Sequence, residues 1–134
     1  MKLAADANVL LSAVVGGRAR DILTHPGVEE VLTTSATMGE VQEYLAQLAR
    51  KRRLSIDTVL LAAATLPVSV VERTAYAAKL GQAAKRLEPR DPDDVELLAL
   101  ALHLGLAVWS NDNDFEDAGV EWYTTAELPK ALGR

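Results

Sequence analysis

The sequence contains no cysteine and only two histidines among its 134 residues. These absences exclude disulfide bonds and thiol catalysis, and they argue against a zinc site. The chain also lacks an apolar run near the ~20 residues that a membrane-spanning helix needs. An acid as early as Asp6 argues against a signal peptide. We therefore expect a cytoplasmic protein with no membrane association.

Aromatic residues are scarce as well, at 4% of the chain, so base stacking is not expected to be the main mode of binding a nucleic acid. The net charge of −5 counts against binding through bulk positive charge. However, two divalent cations at the acids discussed below would bring the formal charge of the loaded protein to about −1. The acidic balance is therefore weak evidence against an anionic substrate.

The residues that are present indicate a folded protein, with 49% hydrophobic and 25% charged residues. A chain of this length buries a substantial core, and we expect one domain over residues 1–134. Short apolar strands are predicted to alternate with longer helices. The predicted strands are Lys2–Ala5, Glu30–Thr33, Pro67–Val71, Leu106–Trp109 and Glu121–Tyr123. The helical patterns cover Val9–Val14, Arg18–Leu23, Ala36–Arg50, Ile56–Ala63, Tyr76–Leu87 and Val95–Leu104. This alternation predicts a parallel sheet with helices on both faces.

Four acidic residues each lie just past the end of a predicted strand or in the first turn of a predicted helix. They are Asp6, Glu40, Asp94 and Asp112. Because the carboxyl ends of parallel strands share one edge of a sheet, these acids are expected to converge there. Like charges about 4 Å apart repel by several kcal/mol at an effective dielectric constant near 20, and a cation relieves that repulsion. Oxygen ligands without sulfur are those that Mg²⁺ and Mn²⁺ prefer.

Each acid also has a purely local explanation. Asp6 could cap the helix that follows it, and Asp94 lies in a helix start of the type Asp-Pro-Asp-Asp. Asp112 and Asp114 could belong to a turn, and Glu40 could be a solvated helical acid. Taken one at a time, the acids do not decide between these explanations and a metal site.

The order of the motifs resembles that of PIN-domain ribonucleases over almost the whole chain. The segment Asp6–Ala13 resembles their opening motif, Asp94–Ala101 their third and Ser110–Phe115 their fourth. Glu40, followed by valine, lies where the family keeps its second acid. One departure is Ala7, where many relatives carry threonine or serine.

The resemblance implies a three-layer α/β/α fold around a central parallel sheet of about five strands. It also implies Mg²⁺- or Mn²⁺-dependent cleavage of RNA. Members of this length are commonly toxins of VapC-type toxin–antitoxin pairs. Partners would be an RNA substrate, a separate antitoxin bound across the early helices, and a second copy in a homodimer. The implied metal-binding and catalytic residues are Asp6, Glu40, Asp94 and Asp112, with Asp114 as a further metal ligand and Asn8 and Ser110 orienting the acids.

Two basic regions are candidates for RNA contact. The run Arg50–Arg53 is explained by the preference of cations for a helix C-terminus, and it lies roughly 20 Å along the helix from Glu40. Arg86 and Arg90 are nearer Asp94 in sequence and are predicted to bind RNA.

Two other functions remain open from the sequence. A Mg²⁺-dependent phosphohydrolase also begins with an acid after its first strand, but such enzymes usually need a second aspartate where this chain has Asn8. A PIN-like binding or scaffold domain without activity is the non-enzymatic alternative.

Overall fold

The computed structural model describes residues 1–87 and 92–133, without the side chain of residue 93. The centre of the structure is a five-stranded parallel sheet with the strand order β3-β2-β1-β4-β5. Its strands are β1 (Lys2–Ala5), β2 (Glu30–Thr34), β3 (Ser69–Val71), β4 (Ala107–Trp109) and β5 (Trp122–Tyr123).

The helices follow the strands in the expected alternation. They are α1 (Ala7–Val15), α2 (Gly17–Leu23), α3 (Ser35–Arg52), α4 (Ile56–Ala64), α5 (Arg73–Tyr76), α6 (Leu80–Leu87), α7 (Pro92–Leu104) and α8 (Leu128–Ala131). Short 3-10 turns cover Ala77–Lys79 and Asn113–Phe115.

Strand β1 is central because it is short, apolar and flanked on both faces. Leu3, Ala4 and Ala5 are fully buried, and the strand pairs with β2 on one side and β4 on the other. Side chains alternate along a strand. Accordingly, Leu3 and Ala5 join the core with α1–α4, whereas Ala4 joins the core with α6 and α7. The two cores make the three-layer α/β/α sandwich that the motifs imply.

Strand order determines where a ligand can bind. The chain leaves β1 toward β2 and β3 and then returns to β4 on the other side of β1. In parallel α/β sheets, ligands bind beyond the carboxyl ends of the strands next to such a reversal. Here that position lies beyond Ala5 and Trp109, which are paired in register.

Some boundaries differ from the sequence prediction. The helix expected over Tyr76–Leu87 is divided, because α5 ends at Tyr76 and a 3-10 turn precedes α6. Strand β3 starts only at Ser69, after a turn in which Val68 donates its backbone N–H to Leu66. Helix α8 was not predicted, and its Leu128 side chain is fully buried. Within residues 1–87 and 92–133, no helix combines the length and apolar character needed to cross a bilayer.

Candidate active site

Asp6 lies at the end of β1 and also caps α1. Its Oδ1 accepts a hydrogen bond from the backbone N–H of Val9 at 2.9 Å, and its own backbone N–H donates to the Trp109 carbonyl at 3.2 Å. Its Oδ2 accepts a hydrogen bond from the Ser110 hydroxyl. The local explanation of Asp6 as a helix cap is therefore correct, but the second carboxylate oxygen is directed to another strand end.

The environment of Asp6 is unfavourable for a negative charge. Burial raises the pKa of the Asp6 carboxyl above its usual value, and the nearby Asp112 raises it further. The hydrogen bonds from Ser110 and Val9 oppose this rise in pKa without cancelling it. A cation beside Asp6 would favour the ionised form.

Ser110 joins the first strand to the loop that carries two further acids. It is fully buried just after β4, and its Oγ accepts a hydrogen bond from the Asp112 N–H at 3.0 Å while donating to Asp6. Its backbone carbonyl accepts from the Trp122 indole at 2.9 Å. Because its position is fixed from several sides, Ser110 sets the spacing between Asp6 and Asp112.

Asp94, Asp112 and Asp114 form a carboxylate cluster. Each contributes an oxygen atom, and these atoms lie within 4.8 Å of one another. Asp112 accepts a hydrogen bond from the Asp114 N–H at 3.1 Å, and the buried Phe115 anchors the same turn. The donors are oxygen atoms only, which fits a hard divalent cation and not zinc in a Cys/His site. Asp94 and Asp114 are partly buried, so their mutual repulsion is screened less than at an exposed surface.

Glu40 lies on a different helix, beside the residues that follow Asp6, and is not part of the cluster of Asp94, Asp112 and Asp114. It lies in the second turn of α3, is half-buried, and lines a cavity of about 250 Å³ that it shares with Ala7 and Asn8 at the start of α1. The structure thus brings Glu40 and Asn8 together beside α1, links Asp6 to Asp112 through Ser110, and groups Asp94 with Asp112 and Asp114. The metal-binding role of each acid stays a prediction.

Buried threonines position α3, and sequence reasoning missed them. Thr33 donates its hydroxyl to the Ala5 carbonyl at 2.8 Å, which ties the ends of β1 and β2 together. Thr34 caps α3 by accepting the Thr37 N–H at 2.9 Å. The signal available in the sequence was a polar pair at the end of an otherwise apolar strand.

A second missed interaction positions α7, the helix that carries Asp94. The buried Tyr76 donates its hydroxyl to Glu96 at 2.6 Å, and Arg73 lies 3.4 Å from the same carboxylate. Burial and the hydrogen bond to Glu96 raise the pKa of the Tyr76 hydroxyl well above its usual value. Tyr76 therefore stays a neutral donor that connects α5 to the first turns of α7.

The predicted RNA-binding arginines differ in what the structure shows. Arg86 donates to the Ala118 carbonyl at 3.0 Å and so supports the loop that follows the carboxylate cluster. Arg90 lies outside the described residues. Lys51, from the basic run, lines the same cavity as Glu40 although it is far from Glu40 along the helix. The RNA-binding role of these residues stays a prediction.

Solved structures of other proteins share this fold. Solved structures share the architecture: VapBC2 from Rickettsia felis (TM-score 0.73, 13% identity, 92% of this chain and 98% of that chain) and PAE2754 from Pyrobaculum aerophilum (TM-score 0.73, 18% identity, 98% of both chains). VapC20 from Mycobacterium tuberculosis, described as a sarcin–ricin-loop-cleaving toxin, has a TM-score of 0.59 and 22% identity over 88% of this chain and 95% of that chain. At these identities the likeness establishes the fold.

The family follows from the sequence itself. No protein of curated function matches the chain by sequence. The sequence profile of the PIN domain matches residues 5–133, which include all the acids described above. The chain therefore belongs to the PIN domain family, as its motifs predicted.

Proposed function

We propose that this protein is a Mg²⁺- or Mn²⁺-dependent endoribonuclease and the toxin of a toxin–antitoxin pair. The observation that carries the proposal is the cluster of Asp94, Asp112 and Asp114, joined to Asp6 through Ser110 at the carboxyl edge of the sheet. Carboxylates gathered at one ligand-binding edge, one of them with a raised pKa, are the kind of arrangement that recurs at functional sites. Membership in the PIN domain family supports nuclease chemistry at this edge.

The proposed metal ligands are Asp6, Glu40, Asp94 and Asp112, with Asp114 as a further participant. A divalent cation at such a site offsets negative charge on the phosphate and lowers the pKa of water. The protein orients the ligands: Ser110 and Val9 direct the two oxygens of Asp6, and the turn at Asn113 directs Asp112 and Asp114.

The proposed reaction is hydrolysis of an RNA phosphodiester. The oxygen of a water molecule attacks the phosphorus in line, the bond from phosphorus to the 3′ oxygen breaks, and the 3′ oxygen takes up a proton. The products carry 5′-phosphate and 3′-hydroxyl ends. The water loses a proton to the surrounding solvent as its oxygen bonds to phosphorus.

The proposed antitoxin site is a separate apolar groove between α1, α2 and α4. It has a volume of about 550 Å³, and its lining includes Val14, Leu23, Leu61 and Leu66. Leu54 and Leu61 of this lining are 40% and 67% exposed, and exposed apolar side chains that lie together can mark an interaction site. Structures of similar fold include VapBC complexes, which supports a separate antitoxin partner. Val9, Leu10 and Leu45, on the early helices α1 and α3, are buried in the core and do not line this groove.

The decisive experiment is cleavage of RNA by the purified full chain in Mg²⁺ or Mn²⁺. We expect cleavage by the wild type, and we expect Asp6→Ala and Asp94→Asn to lower the rate by about 100-fold or more, as for the loss of a group that stabilises the transition state. Asp21→Asn, at an exposed position on α2, is the matched control and should cleave normally. Undiminished cleavage by both site variants would rule out this assignment.

Two further measurements separate the alternatives. Calorimetric titration with Mn²⁺ tests the inactive scaffold, which should bind no metal near neutral pH. Hydrolysis of a small phosphate monoester tests the phosphohydrolase. We expect that the protein binds Mn²⁺ and that it does not hydrolyse the monoester.

A further inference from the structure

A second groove lies between α1 and α3 and shares only Glu40 with the metal ligands proposed above. We call it the α1–α3 groove. Its lining is Ala7, Asn8, Leu11, Glu40, Tyr44, Gln47, Leu48 and Lys51. Its volume is about 250 Å³.

The α3 side of this groove is one continuous stripe. Glu40, Tyr44 and Lys51 recur at helical spacing, so they face the same side of α3. From Glu40 to Lys51 the stripe extends for about 16 Å at ~1.5 Å per residue. That is longer than a stacked dinucleotide, at about 3.4 Å per nucleotide of one strand. The groove therefore has the length to hold a stretch of chain that leads to the acidic site.

The groove carries an exposed aromatic ring at its centre. Tyr44 is 46% exposed and is the one aromatic residue among the exposed large hydrophobic side chains of residues 1–87 and 92–133. An exposed aromatic ring offers a surface on which any of the four bases can stack. Gln47, one turn further along and exposed, offers both a donor and an acceptor to a base edge.

The charge of the groove changes along its length. Glu40 is at the end next to the acidic site, and Lys51 is at the other end, where Arg50 and Arg52 are also exposed. Among the residues that the structure describes, no ion pair involves Lys51. One end of the groove therefore offers Lys51 to an anionic phosphate, and the opposite end offers Glu40 to a cation.

Resting on the proposed function, we infer that the α1–α3 groove binds single-stranded RNA next to the scissile phosphate. One base stacks on Tyr44 with its edge at Gln47, and a backbone phosphate contacts Lys51. A protein segment fits less well, because half of the lining residues are polar or charged, whereas the groove proposed for the antitoxin is lined mainly by aliphatic side chains. Sequence reasoning discounted base stacking from the small number of aromatic residues, and RNA contact at Lys51 from its distance along α3. Neither quantity reveals that Tyr44, Lys51 and Glu40 line one groove.

The test measures RNA affinity apart from cleavage. A fluorescein-labelled single-stranded RNA pool of random sequence, about 12 nucleotides long to suit single-strand site sizes, is titrated in EDTA and followed by anisotropy. Tyr44→Ala is expected to weaken binding by about 5- to 140-fold, the range for loss of one stacked base. Tyr44→Phe keeps the ring and should bind like the wild type.

Lys51→Ala has its own readout. The slope of log affinity against log salt concentration should fall by about 0.7 for the loss of one phosphate contact to a single strand. A change in folding alone would not alter this slope. Lys130→Ala, exposed on α8, and Leu104→Ala, 47% exposed on α7, are the matched controls for charge and for apolar surface. Melting temperatures of all variants should stay close to that of the wild type, because these side chains are exposed.

The outcomes separate the groove from the proposed function. If the wild type cleaves RNA but Tyr44→Ala and Lys51→Ala bind it as the controls do, the groove is not an RNA site. The same holds if Tyr44→Phe loses as much affinity as Tyr44→Ala. If Tyr44→Ala alters only the oligomeric mass or antitoxin binding, the groove is a protein interface. If the wild type neither binds nor cleaves RNA, the proposed function itself is wrong.

Discussion

The Ser110 hydroxyl donates a hydrogen bond to Oδ2 of Asp6, a residue 104 positions earlier in the chain. Both residues follow strands that are neighbours in the sheet, so the bond spans the carboxyl edge between β1 and β4. The same Ser110 oxygen accepts the Asp112 N–H. One buried hydroxyl therefore controls the relative positions of two acids.

Ser110→Ala should weaken metal binding and also lower the stability of the fold. The variant removes the donor to Asp6 and leaves the Asp112 N–H without its acceptor. We predict a loss of Mn²⁺ affinity of about 10- to 100-fold and a loss of stability of about 1–3 kcal/mol. Calorimetry and urea unfolding measure the two effects, with the exposed Ser12→Ala as the control. Wild-type Mn²⁺ affinity in Ser110→Ala would contradict the role given to Ser110.

Asp6 should make the metal-free protein less stable as the pH rises. Burial, and then the charge of Asp112, raise the pKa of Asp6 in the folded protein above its value in the unfolded chain. The folded state therefore binds the proton more tightly, so the stability linked to this group is complete below the ordinary carboxyl pKa and is lost as the pH rises through the folded-state pKa.

Asp6→Asn isolates this effect, because asparagine does not ionise and caps a helix as well as aspartate does. In EDTA, between about pH 4.5 and about pH 7.5, above the ordinary carboxyl pKa, the unfolding free energy of the wild type should fall relative to that of Asp6→Asn. Urea unfolding at each pH gives the comparison. Parallel curves for the two proteins would show that Asp6 is not destabilised by its surroundings.

A divalent cation should stabilise the protein through the carboxylate cluster. At a Mn²⁺ concentration 100 times the dissociation constant, a ligand that binds only the folded state adds about 2.7 kcal/mol. We expect this increase for the wild type and for Asp57→Asn, an exposed acid on α4. The double variant Asp94→Asn/Asp112→Asn should show little of it. Thermal melts with Mn²⁺ and with EDTA provide the measurement, and an equal shift in the double variant would place the metal elsewhere.

Tyr76→Phe should destabilise the protein although it replaces no residue of the candidate active site. The hydroxyl is buried and donates to Glu96 at 2.6 Å, so its loss leaves a charged acceptor short of a partner and should cost about 1.5–3 kcal/mol. Tyr123→Phe is the matched control, since Tyr123 makes a similar bond to Glu121 at the exposed surface. We expect almost no change there. Equal effects of the two substitutions would mean that the Tyr76 bond does not support α7.

Much of the fold could be predicted from local patterns. The strands around Leu3 and Val108 are short apolar runs, the stripe of α3 repeats at helical spacing, and Asp6 and Asp112 follow the ends of parallel strands. These features depend on residues close together in sequence. The family motifs implied which acids belong together, and that grouping stays a prediction, whereas the profile match to residues 5–133 confirms the family.

The remainder depends on how distant elements approach one another. Nothing near Tyr76 in the sequence indicates that its hydroxyl meets Glu96, and the break that follows it is a consequence of packing against α7. Likewise, Tyr44 and Lys51 become neighbours of Asn8 only because α1 and α3 lie side by side. Such contacts are set by tertiary packing, which single-sequence periodicity does not record.

The bond between Asp6 and Ser110 also bears on how the protein is made. Synthesis delivers β1 and α1 first, and the serine and the acids of the 110–114 turn follow at least 104 residues after Asp6. A chain that stops before β4 has Asp6 without Ser110, Asp112 or Asp114, so it cannot assemble the carboxylate edge. For a protein proposed to cut RNA, an unfinished copy on the ribosome is therefore harmless to its own message.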